Sequence, residues 1–302
     1  MRVRVRVPAT SANLGPGFDA LGLALGLHNE VILEEAERIS VSVEGEGAGR
    51  LDEDAKNVVA RGVALGFEVA GRPFRGGRLR CVNRIPLSRG LGSSAAAWVG
   101  GLVAANALLG EPLDRDALVT AAARAEGHPD NVAAAVLGGL TVSCADGVRV
   151  TAVSLPVPRE IAWVVLLPGT ESSTREARAV LPDSVPRADA VFNVQRVSLL
   201  LAALGGGRLD LLDLAMQDRL HQPYRQRLFP WMEAVAAAGR RAGALGCVLS
   251  GAGPSMLAAV LGGGDDVARA MERALREAGI DGRALSLPVD AAGATWERLP
   301  ET

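Results

Sequence analysis

The chain has 302 residues, 49% of them apolar and only 3% aromatic, with 32 basic against 34 acidic side chains and a formal net charge of −2. That balance excludes an electrostatic grip on nucleic acid or an acidic membrane, and the few aromatics exclude a base-stacking platform. Cys81, Cys144 and Cys247 are too scattered for a disulfide framework or a cysteine metal site, the start MRVRVRVP is unlike a signal sequence, and Gly, Arg or Pro breaks every apolar stretch, so a reduced, cytoplasmic protein with no membrane span is the expectation.

Arg2–Val7 alternates with period two and predicts a half-exposed strand. Pro8–Gly17, rich in Pro, Gly, Ser, Thr and Asn, predicts a loop. Asn29–Glu35 and Ile39–Glu44 predict strands, Lys56–Ala70 a helix and Leu79–Arg84 a short strand. A Gly/Ser loop, Pro86–Ser94, leads into an apolar helix from Ala95 to Leu109. Asp114 caps a helix reaching about Ala125, Asp130 caps the next, and Gly138–Gly139 ends it. Leu140–Cys144 and Arg149–Leu155 predict a hairpin. The boundary is expected at Pro156–Glu160, giving domains at 1–157 and 158–302.

Beyond it, Ile161–Leu167 is a continuous apolar run and predicts a buried strand. Ser172–Leu181, Arg187–Leu204, Asp210–Leu220 and Pro230–Gly243 have helical spacing, with the Val/Leu stripe of Val194–Leu204 expected in the core. Cys247–Ser250 and Ser255–Val260 predict strands joined by Gly251-Ala252-Gly253-Pro254, followed by a helix at Asp265–Ala278 and a strand at Ala284–Val289. Strands and helices mix without regular βαβ alternation, so the fold class is α+β.

The order strand, Pro86-Leu87-Ser88-Arg89-Gly90-Leu91-Gly92-Ser93-Ser94, helix is what an anion site needs. A helix N-terminus presents unpaired N–H groups and the positive end of the macrodipole, and glycines let backbone approach phosphate oxygens. The small residues Ala95 and Ala96 leave room, and a Ser93 or Ser94 hydroxyl suits Mg²⁺. The P-loop pattern is excluded, because Lys56 is the only lysine of the chain. Gly90-Leu91-Gly92 lacks the third glycine of a dinucleotide fingerprint, and no G-x-S-x-G elbow is present at this loop. By itself the segment reads more readily as a packed strand–helix turn with small residues.

PLSRGLGSSAA resembles the central motif P-x-x-x-G-L-G-S-S-A-A of the GHMP superfamily of small-molecule kinases. Ala9–Asp19 (ATSANLGPGFD) resembles its N-terminal motif and Ser250–Met256 (SGAGPSM) its C-terminal glycine motif. The form TSANLGPGFD, with Glu126–Ala133 (EGHPDNVA), Ser173–Arg178 (STREAR) and Gln222–Arg225 (QPYR), is most similar to the homoserine kinases within it. The resemblance implies a two-domain architecture: a ribosomal-protein-S5-like N-terminal domain that binds ATP, and a ferredoxin-like C-terminal domain. It implies MgATP-dependent phosphorylation of L-homoserine in threonine biosynthesis, and a homodimer.

Homoserine is a zwitterion with a terminal hydroxyl. Arg178 and Arg225 are offered for its carboxylate, Asp19 and Asn13 for its ammonium, and Asn131 and Thr174 for its hydroxyl. By the same resemblance Ser94 and Glu126 hold Mg²⁺, Asn57 contacts adenine, and Gly251 and Gly253 belong with the phosphate loop. Asp130 is the nominal base, kept as a charge partner because homoserine kinases are thought to lack a committed one. Singly, each residue has a plainer reading: Asp130 as a helix cap, Glu126 as a solvated helix end, His128 as structural, the arginines as surface charges. The joint pattern outweighs these. The competing expectations are another kinase of the superfamily, a non-catalytic nucleotide or amino-acid sensor of the same fold, and a serine hydrolase, for which no histidine has a triad context.

Overall fold

A computed structural model describes residues 1–300; Glu301 and Thr302, which end the second expected domain, lie outside the described residues. The first half builds a 7-stranded sheet in the order β11-β1-β2-β4-β3, with β5 joined to β2 and β6 to β5. Its strands are β1 (Arg2–Ala12), β2 (Leu21–Glu35), β3 (Ser40–Gly45), β4 (Gly77–Asn83), β5 (Leu140–Ala145), β6 (Val150–Leu155) and β11 (Thr295–Leu299). Helices α1 (Val58–Val69), α2 (Ser93–Leu108), α3 (Arg115–Glu126) and α4 (Asp130–Leu137) pack with it. A second, 4-stranded sheet has the order β10-β7-β9-β8: β7 (Ile161–Pro168), β8 (Gly246–Leu249), β9 (Met256–Leu261) and β10 (Gly282–Leu287). With it go α5 (Thr174–Ala179), α6 (Arg187–Gly206), α7 (Leu212–Ala215), α8 (Gln222–Arg225), α9 (Met232–Arg241) and α10 (Asp265–Glu277).

Period-two alternation works as read in β1, where Val3, Val5 and Val7 are wholly buried and Arg2, Arg4 and Arg6 are not. Period 3.6 works in α10, whose Val267, Ala270, Met271, Ala274 and Leu275 form one buried stripe. Asp114 caps α3 by accepting the Ala117 N–H at 2.8 Å.

Five expectations change, one being that the helix expected at Asp210–Leu220 is only a 3-10 turn at Leu209–Leu211 followed by the four residues of α7. Residues 8–12 of the expected loop are strand: β1 runs on to Ala12, paired with Leu25–Gly22 of β2 past a bulge at Pro8/Ala9. Thr10 and Ser11 are fully buried there, and their hydroxyls pair with Asn131 and Ser250. Their polarity is thus satisfied by partners far along the chain. Asp130 is not a cap but the first residue of α4, after Pro129. The stripe in α6 is only partly core: Leu200, Ala203 and Leu204 are buried, but Val194 is 64% exposed. That helix alone among the described residues has the length and mean hydropathy of a membrane span; it carries Arg187 and Arg196, and 22% of its apolar window is buried. Finally, the chain returns to the first sheet for β11, which pairs antiparallel with β1.

Candidate active site

The two sheets meet where four distant segments are laced together through their backbones. Thr10 N–H donates to Leu91 O (3.1 Å), Gly251 N–H to Ala12 O (3.1 Å), Ser172 N–H to Ser88 O (3.1 Å) and Ser255 N–H to Arg89 O (3.3 Å). The Ser250 hydroxyl bonds to Gly90 O at 2.7 Å and to Ser11 Oγ at 2.8 Å. The loop before α2 is thereby clamped between the end of β1 and the β8–β9 turn.

Its conformation is that of an anion cradle. Ser88, Gly90 and Gly92 have φ of 53°, 72° and 65°. Gly92 sits at the N-cap of α2 without any side-chain cap, so the first-turn N–H groups stay open to a ligand. A Cβ on Gly92 would lie 1.9 Å from Thr10 Oγ1, and one on Gly90 would lie 2.3 Å from Ser250 O. Both positions demand glycine, by contact as well as by φ.

Two cavities open from the Ser93–Ser94 end of this loop, and a third, of about 320 Å³, touches its Pro86, Leu87 and Arg89. One, of about 200 Å³, is lined by Ser88–Ser94, Asn131, Thr174, Arg178 and Arg225, with Asn13, Asp19, Gly251 and Gly253 also on its wall. The other, of about 250 Å³, lies around Asn57 and Leu87 and shares Ser88, Ser93 and Ser94 with the first. A larger cavity of about 480 Å³, behind α8 near Phe192 and Met232, has no part of the loop in its wall. Of the loop residues offered from sequence, Pro86 lines only the cavity away from Ser93 and Ser94, and the side chains of Ala95 and Ala96 are buried in the core. Asn57 is the N-cap of α1: its Oδ1 accepts from Val59 N–H and its Nδ2 donates to Asp52 O, which leaves it shaping the wall.

Ser94 Oγ donates to Glu126 Oε2 at 2.7 Å across the mouth of the first cavity. Burial pushes the Glu126 carboxyl above its ordinary range, the Ser94 and His128 contacts pull it back, and Asp130 pushes it up again, with a net rise. A largely buried carboxylate beside a hydroxyl is an oxygen pair suited to Mg²⁺. Among the described residues no three His, Cys, Asp or Glu cluster to hold a metal.

Next to this pair, His128 Nδ1 and Asp130 Oδ1 are 2.7 Å apart, and Asp130 Oδ1 also accepts Asn131 N–H at 2.7 Å. Burial opposes a charged His128, but the bond to Asp130 and the charges of Asp130 and Glu126 outweigh it and raise its pKa. His128 also lines the first cavity. The sequence signal was its place between Glu126 and Asp130, all three of which face one cavity. Asn131 Oδ1 accepts the Thr10 hydroxyl at 2.8 Å.

The groups offered to a zwitterion converge, but not as free groups. Arg178 donates from Nη1 and Nη2 to both oxygens of Asp19, at 3.0 and 2.7 Å. That bond chiefly raises the Arg178 pKa. The Asn13 amide joins two segments, Nδ2 donating to Gly251 O and Oδ1 accepting Asp19 N–H. Arg225 is 2% exposed, and burial first, then the nearby Arg178, lowers its pKa to about 10. The side chain of Phe18, unremarked in the sequence, lies under both guanidinium groups, at 5.6 Å from Arg178 and 5.5 Å from Arg225.

Residues 57–139 match the family description "GHMP kinases N terminal domain", and residues 200–281 match "GHMP kinases C terminal". The chain is 48% identical over 276 residues to the homoserine kinase of Moorella thermoacetica, covering 91% of this chain and 93% of that one. It is 49% identical over 303 residues to the homoserine kinase of Symbiobacterium thermophilum, covering 97% and 94%. The crystal structure of homoserine kinase from Cytophaga hutchinsonii superposes with a TM-score of 0.90 at 31% identity, covering 98% of this chain and 97% of that one.

Proposed function

The chain belongs to the GHMP kinase family and, within it, to the homoserine kinases, and from that premise we propose that it transfers the γ-phosphoryl group of ATP to the side-chain hydroxyl of L-homoserine. The observation that carries the substrate assignment is that the anion cradle of α2 and a pocket containing Asp19, Arg178 and Arg225 share one cavity of about 200 Å³. That is below the roughly 300–1,000 Å³ typical of ligand pockets, so it fits a small zwitterion better than a sugar.

Phosphoryl transfer asks a protein for alignment and for neutralisation of charge. The first-turn N–H groups of α2 receive the phosphates, and the adenine lies in the cavity beside Asn57. Ser94 and Glu126 are the residues that would hold Mg²⁺, which when bound neutralises phosphate charge. Arg225 presents the substrate carboxylate with Nη2, which has no hydrogen-bond partner among the described residues. Asp19 draws the ammonium, and Arg178 exchanges part of its bond to Asp19 for the carboxylate. The Asn131 amide and Thr174 face the hydroxyl. Asp130 spends one oxygen on His128 and Asn131, so it serves as a charge partner that orients them; the homoserine hydroxyl oxygen bonds the γ-phosphorus as its bond to the β–γ bridging oxygen breaks, ADP departs, and the hydroxyl proton passes to an oxygen of the transferred phosphoryl group. The division at 1–157 and 158–302 places the nucleotide on the first unit and Arg178 and Arg225 on the second, with residues 295–299 returning to the first sheet. A cytoplasmic homodimer fits a consumer of ATP and homoserine.

The test is ADP release with MgATP against homoserine, mevalonate, shikimate and sugars. Turnover confined to another alcohol would overturn the substrate, and nucleotide binding without turnover of any acceptor would make the protein a sensor.

A further inference from the structure

The carboxylate-binding arginine is held by a buried group outside the reacting centre. Arg225 Nε donates to Ala177 O at 3.2 Å, and Nη1 donates to Gly251 O at 2.9 Å and to His221 Nδ1 at 3.1 Å. These bonds tie the guanidinium to α5, to the glycine turn against the phosphate loop, and to His221. His221 has no exposed surface. Its ring stacks on Phe18 at 5.3 Å between centroids, and Phe18 lies beneath both arginines.

The tautomer follows from the partners. A guanidinium only donates, so His221 Nδ1 must be bare to accept from Nη1. Nε2 lies 2.8 Å from Gly15 O, a carbonyl that only accepts, so the proton sits on Nε2. Asp218, whose side chain is wholly buried, fixes the backbone: its Oδ2 accepts the N–H of His221 at 3.0 Å and of Gln222 at 2.7 Å. The charged groups facing the ring are Asp218, 3.5 Å from Nε2, then Arg225, and Asp19 farther off. Burial lowers the His221 pKa, in the direction the neutral ring requires.

We propose that His221, neutral and protonated on Nε2, is a positioning residue for the amino-acid substrate: it holds the Arg225 fork in the orientation that leaves Nη2 for the substrate carboxylate. The proposal rests on the homoserine kinase reading. A second proton, on Nδ1, would turn the acceptor into a donor aimed at a guanidinium.

The test separates the two ring nitrogens. His221→Gln places an amide near Nε2, keeping the Gly15 contact and removing the acceptor for Arg225. His221→Asn places its Oδ1 near Nδ1 and keeps that acceptor. The expected result is a homoserine KM raised about tenfold in H221Q with the MgATP KM and kcat near wild type, and a KM near wild type in H221N. Equal losses in the two variants, or equal shifts in both KM values, overturn the proposal. On the wild-type protein, ring nitrogen NMR at neutral pH is expected to find one proton, on Nε2. A proton on Nδ1 overturns the proposal even if H221Q does not fold. Failure of the wild type to use homoserine would overturn the functional reading instead, and leaves the NMR result standing.

Discussion

Gly90→Ala tests the clamp between the phosphate loop and the β8–β9 turn. At φ of 72° an alanine costs about 1–2 kcal/mol in the left-handed region alone. Its Cβ would also stand 2.3 Å from Ser250 O and 3.0 Å from Gly253 N, both backbone atoms that cannot swing aside. Forcing loop and turn apart adds about 1–3 kcal/mol, as overpacking does elsewhere. It also stretches the Ser250 Oγ–Gly90 O and Ser255 N–Arg89 O bonds. Gly71→Ala is the control, because Gly71 has φ of 66° with nothing within 4 Å of its Cβ position. G90A should therefore cost about 2–5 kcal/mol against about 1–2 for G71A. At about 2–4 °C per kcal/mol, G90A should melt roughly 2–12 °C below G71A by circular dichroism. Its MgATP KM should rise while that of G71A does not. Equal melting temperatures and an unchanged MgATP KM would show that the loop does not depend on its contact with the turn.

Glu126→Gln keeps a partner for Ser94 Oγ but removes the charge; kcat should fall about 10- to 100-fold even at saturating homoserine, and a wild-type kcat refutes the metal role. Arg178→Gln and Arg225→Lys should each raise the homoserine KM about 10- to 100-fold with the MgATP KM kept; unchanged values in both variants remove the carboxylate assignment. The His128 pKa is raised on folding, so its contribution to stability is complete below its unfolded value near 6.5 and is lost as pH rises through the folded value. The stability difference between wild type and Asp130→Asn, from urea unfolding, should narrow over that rise, and a gap independent of pH would deny the coupling.

Local pattern alone determined much of this molecule. Alternation in Arg2–Val7, the apolar run Ile161–Leu167 and the stripe of α10 define their elements, because burial of one face has a fixed period. The order of the glycine-rich segments was enough to indicate the family and to single out the loop proposed to receive phosphate. Other features depended on partners more than a hundred residues away. Thr10 and Ser11 look like loop residues until Asn131 and Ser250 satisfy their hydroxyls in a buried strand. Residues 295–299 become a strand only because β1 offers them an edge. Arg178 and Asp19, read as separate hands for a carboxylate and an ammonium, hold each other, since opposite charges at 2.7 Å in a half-buried cavity pair unless a ligand intervenes. Composition and spacing fixed which chemical groups the site contains. The tertiary structure decided which are free, which are paired and which, like His221, act through another, because hydrogen bonds and desolvation depend on neighbours in space and not in sequence.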